Sequence, residues 1–378
     1  MKKYILTGGT GFLGSLLGEE LLRRGHKVVF LGRHKNDASY RDRQCKALLD
    51  ISGDVPLLHA VFYEIDFANP VLTSDAVAQL RGSDGFFHLA ADLSFRERDR
   101  QKVFQANVHS LAKITDLISL LETPLFYTST AYVHGAQSPG TVIQEKLYTR
   151  PKQFNNPYEE SKYEAEVFLH AWGKRTGHPY VIFRPSIIID REGKASTPYG
   201  FSAVLIGLLK LREHFKTPQG KLLRLPMPFP YARNASLNLV PADLVIRWMI
   251  HIAEHERARG ETYHLVSARP FSIREIIDDA FVKGIGVRLM AFSAPLWLVH
   301  LWITMLSCIG DLIPMLKPLT ERLRLFRFYM TGDVRYATDN LASATGDDLG
   351  ELSRVPHGYL TQVAQHFVAR YNKRKLGL

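Results

Sequence analysis

Three glycines, Gly8, Gly11 and Gly14, stand between a short apolar run, Tyr4-Ile5-Leu6, and a helical pattern through Leu16, Leu17, Leu21 and Leu22. A strand that turns tightly into a helix leaves the first N–H groups of that helix without intrahelical partners. Glycines there remove the side chains that would keep an anion away from the backbone. Gly8 permits the turn, Gly11 the close approach, and Gly14 the packing of helix on strand. Strand, glycine turn and helix in this order predict a βαβ unit that seats a dinucleotide pyrophosphate, with Thr10, Phe12 and Leu13 counted among the contacts.

A glycine-rich loop with no ligand is the plain alternative, and the next segment argues against it. Lys27-Val28-Val29-Phe30-Leu31 reads as a second strand, and Gly32-Arg33-His34-Lys35 follows. An NAD-binding unit usually places Asp or Glu at that point, to hold the ribose 2′-hydroxyl. A guanidinium instead binds a 2′-phosphate through paired, charge-assisted hydrogen bonds. Arg33 therefore points to NADP(H) ahead of NAD(H). The alternative is a solvated surface charge.

The 378 residues suffice for one large domain or two intimate ones, and 46% hydrophobic content supplies a sizeable core. A formal net charge of +11 suits acidic partners: phosphorylated cofactors, phosphopantetheine carriers or an anionic membrane face. The basic residues are scattered and no nucleic-acid motif occurs, so nucleic acid is not an expected partner. Cys45 and Cys308 have neither metal-ligand nor redox spacing, so no metal is expected and a reducing, cytoplasmic setting follows. The apolar run after Met1-Lys2-Lys3 is only a strand long, too short for a signal peptide.

Strands and helices alternate to about residue 185. A polar stretch from Asn36 to Asp50 precedes a third strand candidate, Leu57 to Ile65, which ends in Asp66-Phe67. Asp75 to Leu80 reads as helix, and Gly85 to Leu89 as a strand running into Ala90-Ala91. Gln101 to Leu121 is a long amphipathic helix, Pro124 to Ser129 a fifth strand, Tyr158 to Gly173 a helix and Tyr180 to Arg184 a sixth strand. This alternation predicts an α/β fold, a doubly wound parallel sheet that binds ligands at its C-terminal edge. Residues 1–185 form the nucleotide-binding unit with the catalytic residues, and 186–378 a smaller substrate-binding region. In the latter, a helix through Ile252 and a late strand, Thr262 to Val266, thread back onto the sheet. An apolar helical segment covers 289–316. From Leu289 to Gly310 it has no Asp, Glu, Lys or Arg. About 20 such residues can cross a bilayer, but Ser293, Pro295, His300, Thr304 and Ser307 interrupt this run. Trp297 and Trp302, flanked by Arg288, Lys317, Arg322, Arg324 and Arg327, suit a helix lying on a membrane surface. A lid over a long-chain substrate, or a core helix, is the competing reading.

Asn155-Asn156-Pro157-Tyr158-Glu159-Glu160-Ser161-Lys162 carries the strongest chemical signal. Asn156 can cap a helix and Pro157 is favoured at its first position. Tyr158 and Lys162 then share a helical face. A phenol's unperturbed pKa of about 10 makes it a poor proton relay, and a nearby ammonium lowers it. The pair can deliver a proton to a carbonyl oxygen while hydride reaches the carbon. Thr130, at the end of the fifth strand, can hold that oxygen, and Ser129 is the neighbour with which it is easily confused. Hydroxyls that merely satisfy backbone at a strand end are the plain alternative.

Together the glycine turn, Asp66, His88-Leu89-Ala90-Ala91, Asn107, Thr130, Tyr158, Lys162 and Arg184-Pro185-Ser186 resemble the extended short-chain dehydrogenase/reductase superfamily, across residues 4–190. The resemblance implies that Asp66 contacts the adenine and that Ala90 lines the cofactor cleft, with Phe67 and Pro185 among the cofactor contacts. It implies that Asn107 organises the active site, that Thr130, Tyr158 and Lys162 are catalytic, and that Lys162 also holds the nicotinamide ribose. Gly-Thr-Gly-Phe-Leu-Gly at 9–14, Leu93-Ser94-Phe95, Tyr158 to Glu166, Arg184 to Ile189 and Asn238 to Asp243 are similar to the thioester-reductase and fatty acyl-CoA reductase branch. That branch often continues its Arg-Pro strand with a glycine, where this chain has Asp190-Arg191-Glu192.

The resemblance implies an NADPH-dependent reductase of a lipid-like acyl thioester, on coenzyme A or an acyl-carrier protein, releasing aldehyde or alcohol. A sterol or β-keto-lipid dehydrogenase or ketoreductase is the first alternative. A sugar-nucleotide epimerase and a non-enzymatic NADP(H) sensor are minor ones. A homodimer and peripheral contact with the inner face of a membrane are compatible with this reading.

Overall fold

Seven short runs rich in Val, Ile, Leu, Phe and Tyr become seven parallel strands in the computed structural model. They are β1 (Lys3–Thr7), β2 (Lys27–Gly32), β3 (Ala60–Glu64), β4 (Gly85–His88), β5 (Leu125–Thr128), β6 (Tyr180–Pro185) and β7 (Thr262–Leu265). The structure describes residues 1–34, 38–138, 140–190, 200–214, 227–255, 260–287, 289–312, 317–346, 355–356 and 358–376. Lys35, Arg191, Glu192, Arg288 and residues 313–316 of the apolar segment lie outside them, as do the side chains of Lys317 and Arg322.

The strand order is β7-β6-β5-β4-β1-β2-β3. Parallel strands covered on both faces need apolar residues at every position, and alternate residues serve opposite layers. Tyr4, Leu6, Val28 and Phe30 face one layer, built from α1 (Phe12–Arg23), α2 (Tyr40–Ser52) and α6 (Ala242–Glu254). Ile5, Val29 and Leu31 face the other, where α4 (Ser110–Leu121) contributes Leu111, Ile114 and Ile118, and α5 (Pro157–Thr176) contributes Leu169 and Trp172. A short α3 (Ser74–Leu80) precedes β4. Each fully buried leucine or phenylalanine here contributes about 2 kcal/mol. The order in which strands are added reverses between β1 and β4, which opens the crevice at the C-terminal strand edge.

The doubly wound parallel sheet expected from sequence is present, with local differences. The polar stretch after β2 contains α2, whose inner stripe is Tyr40, Gln44, Leu48 and Ile51. The helix expected over 101–121 is interrupted by a π-helical turn, Gln105–His109. Beyond residue 185 the chain returns to the sheet: β7 pairs with β6, and α6 packs against α1.

The apolar segment begins as a strand rather than a helix. Leu289–Ala294 runs parallel to Met227–Ala232, with Met290 and Phe292 exposed on alternate positions. Pro295 ends it, and the helix Leu296–Leu312 follows. Val299 and Ile303 of that helix are buried, whereas Leu296, Trp297, Leu301, Met305 and Ile309 are exposed. The two tryptophans diverge, since Trp302 packs edge-on against Phe229 at 4.9 Å while Trp297 is 67% exposed. Among the described residues, no helix is long and apolar enough to cross a membrane.

Candidate active site

The glycine turn at the end of β1 is tight. Gly8 adopts a left-handed conformation, φ +77°, and its carbonyl accepts the Gly11 N–H at 2.9 Å. A Cβ on Gly8 would lie 2.6 Å from the Ala90 nitrogen, and one on Gly14 would lie 2.3 Å from the Gly8 oxygen. Glycine at 14 thus lets α1 pack on the turn itself, and Gly8 lets the turn pack on the chain leaving β4. Gly11 is the N-cap of α1 and no side chain caps that end. Thr10, Phe12 and Leu13 surround it, half-buried. The steric bareness and the unpaired helix start fit a dinucleotide pyrophosphate. Sequence reasoning missed the support behind the turn. Gln44 of α2 donates from Nε2 to the Gly9 carbonyl at 3.0 Å and is itself held by the Tyr40 hydroxyl at 2.9 Å.

Arg33 stands just past β2, exposed, and forms no ion pair among the described residues. A carboxylate does lie nearby. Glu64, opposite Gly32 in the β2–β3 register, meets the His34 ring at 3.1 Å and accepts the Tyr40 N–H at 2.6 Å. The Tyr40 hydrogen bond, followed by those from His34, holds its carboxyl below the usual range. Past β3, Asp66 is exposed and accepts the Ala68 N–H at 3.0 Å, and Phe67 packs on the core. Pro185 is the buried last residue of β6.

Below the crevice lies a buried polar column. Thr7 Oγ1 and His88 Nδ1 are 2.9 Å apart, and the His88 ring stacks on Tyr127 at 5.9 Å. Lys162 Nζ donates to the Tyr127 hydroxyl at 3.1 Å and to the Thr128 carbonyl at 2.7 Å. Burial pulls the Lys162 ammonium down to about 7, with Glu166 acting in the opposite direction. Burial, then Lys162, pushes His88 down to about 3, so this imidazole is neutral.

The Asn156 side chain caps α5, accepting the Glu159 N–H at 2.9 Å, and Pro157 occupies the first position. Tyr158 follows, half-buried, with its ring 5.8 Å from Phe95. Burial, then the adjacent Glu159 carboxylate, raises its phenol above the ordinary value. This reverses the lowering expected from Lys162. The ammonium is directed at Tyr127 and Thr128, and the charge that acts on the phenol is Glu159. Thr130 is buried, and its Oγ1 accepts the Tyr132 N–H at 3.4 Å to cap the turn Ala131–His134. The neighbouring hydroxyls of Thr128 and Ser129 are buried without a hydrogen-bond partner among the described residues.

Asn107 sits in the π-helical turn, a geometry that recurs at functional sites. Its Nδ2 donates to the Asp92 carbonyl and to Ser161 Oγ, both at 2.9 Å, and its Oδ1 accepts the Asp92 N–H at 2.7 Å. Ser161 Oγ donates onward to the Tyr158 carbonyl at 2.8 Å. Two further groups had no sequence signal. Glu159 is fully buried and accepts from the Tyr329 hydroxyl and from Asn155 N and Nδ2, at 3.2 and 3.0 Å. Burial raises its carboxyl to about 7 against the pull of these donors. Asn156 Nδ2 donates to the same Tyr329 hydroxyl at 2.9 Å.

Comparison with known proteins gives the family and the fold. Residues 6–249 match the family model described as male sterility protein. A nonribosomal peptide synthetase of Aspergillus flavus, asaC, is 28% identical over 349 residues, 85% of this chain and 32% of that protein. The chain thus spans about a third of that relative's length, and 25% of a non-canonical synthetase of Aspergillus campestris. A 3 beta-hydroxysteroid dehydrogenase/Delta 5-->4-isomerase of Mycobacterium tuberculosis is 26% identical over 346 residues, 88% of this chain and 84% of that enzyme. The terminal R domain from the myxalamid PKS-NRPS biosynthetic pathway superposes with a TM-score of 0.79 at 23% identity, covering 99% of this chain and 91% of that one. A UDP-glucuronic acid 4-epimerase of Bacillus cereus, solved with NAD, gives 0.65 at 17% identity, covering 100% and 98%. At such identities the two structures bear on fold alone. The family match runs from β1 through α6, across the glycine turn and the Tyr158 helix alike, and on that extent this chain belongs to the male sterility protein family of extended short-chain dehydrogenase/reductases.

Proposed function

We propose that this oxidoreductase uses NADP(H) to reduce the carbonyl of a lipid-like acyl thioester, carried by coenzyme A or an acyl-carrier protein, to the aldehyde or alcohol. The observation that carries this reading is the Lys162 ammonium anchored on the Thr128 carbonyl at 2.7 Å, two residues before Thr130 and one helical turn after Tyr158 on α5. A bound nicotinamide supplies hydride. Tyr158 supplies the proton to the substrate oxygen. Its raised phenol pKa keeps that proton in place at neutral pH, which suits an acid in the reductive direction. Thr130 uses a lone pair for its cap and keeps its own proton to donate to the same oxygen. The hemithioacetal so formed then breaks its C–S bond, its hydroxyl proton leaving with the carrier thiol, and frees the aldehyde, which a second hydride and proton convert to the alcohol. Lys162, anchored on the Thr128 carbonyl, is assigned to the ribose, and Arg33 to the 2′-phosphate.

Incubation with NADPH and a panel of acyl-CoAs and acyl-carrier proteins tests the proposal. Loss of the reduced-nicotinamide absorbance with at least one thioester is the expected result, and none across the panel overturns it. A sterol or β-keto-lipid dehydrogenase is the second reading. It is favoured by the hydroxysteroid dehydrogenase above and a Dictyostelium discoideum sterol-4-alpha-carboxylate 3-dehydrogenase, each matched over 84% of its own length. Turnover of hydroxysteroids with none of thioesters selects it.

The same reading gives the exposed stripe Trp297, Leu301, Met305 and Ile309 to an anionic lipid surface, which complements a chain of net charge +11. Sedimentation with phosphatidylserine vesicles tests this: Trp297→Glu should reduce binding, and equal sedimentation of both proteins contradicts it.

A further inference from the structure

We infer that Tyr329 joins an apolar-chain pocket to the helix that carries Tyr158, so that filling the pocket sets the position of the phenol. The carbonyl-reductase reading supplies the reacting end of this inference. The ligand class comes from the pocket itself.

The pocket is an apolar recess, partly open to solvent, beyond the C-terminal edge of the sheet, where Ile187 follows β6 by two residues. Phe201, Val204, Ile276 and Phe281 line it together with Tyr329, the Phe201 and Phe281 rings stacking at 6.4 Å. The remaining lining residues, Leu237 and Ile273, are also hydrocarbon. Tyr329 brings the one polar atom among the lining side chains, and its hydroxyl is engaged by Asn156 and Glu159. A ligand therefore meets the ring and finds no hydrogen-bond partner among these side chains. Polar groups are disfavoured in such a space, and a hydrocarbon chain is favoured.

The other side of Tyr329 faces the chemistry. Its ring meets Tyr132 edge-on at 4.7 Å and Phe95 at 5.9 Å, and Phe95 in turn lies 5.8 Å from Tyr158. Asn156, which holds the Tyr329 hydroxyl, is the N-cap of α5 two residues before Tyr158. A chain pressing on the ring thus acts on the cap and on Phe95 together. Side chains packed this closely shift between discrete arrangements rather than deform smoothly. Tyr329 is a positioning residue: it reaches the reacting groups only through Asn156, Glu159 and Phe95.

Sodium dodecanoate is the probe, because its binding needs no turnover. Calorimetric titration of the full chain should show binding that Val204→Trp, which fills the pocket, weakens at least tenfold. Ile276→Trp repeats the test at a second lining residue, and NADPH titration shows that each variant is folded. Amide hydrogen exchange over 156–163 should slow when dodecanoate binds the native protein and stay unchanged in Tyr329→Phe, which keeps the ring and loses the hydroxyl. With thioesters, Tyr329→Phe should lower the dodecanoyl-to-butyryl ratio of kcat about tenfold, the loss of one charge-assisted hydrogen bond. Dodecanoate binding that survives both tryptophans overturns the pocket. Equal slowing of exchange in native protein and Tyr329→Phe, or equal loss of rate with both chains, overturns the coupling. Absence of any thioester turnover counts against the reductase reading alone, since titration and exchange still decide the pocket and the coupling.

Discussion

Replacing Glu159 by glutamine isolates a fully buried carboxyl beside Tyr158. The native carboxyl is fully buried and its pKa is raised by burial from 4.5 to about 7. A carboxyl raised in the folded state binds more protons there than in the unfolded chain between those values. Its contribution to stability is therefore present below about pH 4.5 and is lost as the pH rises through 7. The displacement corresponds to roughly 3 kcal/mol when complete. Glu145, raised by burial to about 7, adds a fall in the same window. His88, His134 and His264, pushed by burial to about 3 or 4, add a rise with pH below their unfolded values. Only the difference between variant and native protein reports Glu159. Urea unfolding at pH 5 and pH 8, followed by tryptophan fluorescence, measures it. Glu159→Gln should gain on the native protein by roughly 2.5 kcal/mol between the two conditions, with an unchanged urea slope. A difference that stays constant with pH would refute the account of Glu159 as a carboxyl that ionises at a cost.

Three further outcomes follow from the geometry. Gly14→Ala places a methyl 2.3 Å from a backbone oxygen that cannot turn away, so NADPH affinity should fall at least tenfold by fluorescence titration, and native affinity would contradict the cradle. Arg33→Ala removes a paired, charge-assisted contact and should weaken NADPH about ten- to a hundredfold while leaving NADH unaffected; equal loss for both cofactors would reject Arg33 as the phosphate ligand. Glu166→Ala leaves the Arg184 guanidinium, now paired at 2.5 and 2.9 Å with both groups fully buried, without its counter-charge. That should cost about 3–5 kcal/mol in urea unfolding, and a loss below 1 kcal/mol would show that water or neighbouring carbonyls replace the carboxylate.

The parts of the fold legible in the sequence are those where one residue type answers a steric demand. Gly8 and Gly14 can be read because any Cβ there meets backbone within 3 Å. Asn156-Pro157 can be read because a cap and a fixed φ act within one turn. Helix α2 was hidden because its inner stripe carries Gln44, whose amide is buried to hold Gly9. The strand 289–294 was hidden because an unbroken apolar run has no period that separates strand from helix. The π-helical turn around Asn107 adds a residue to a turn without changing which types are apolar. Tyr329 was out of reach for another reason: it meets Glu159 across 170 residues of chain. The direction of the Tyr158 shift followed from the same gap, since it depends on where Lys162 points.

Tyr158→Phe, loaded with NADPH and mixed once with substrate, tests the central claim most directly. The variant should bind NADPH as the native protein does and transfer hydride to the carbonyl at least about a hundredfold more slowly, the ordinary worth of a positioned proton donor. Native-like hydride transfer without the 158 hydroxyl would contradict the claim that this phenol serves the reacting oxygen.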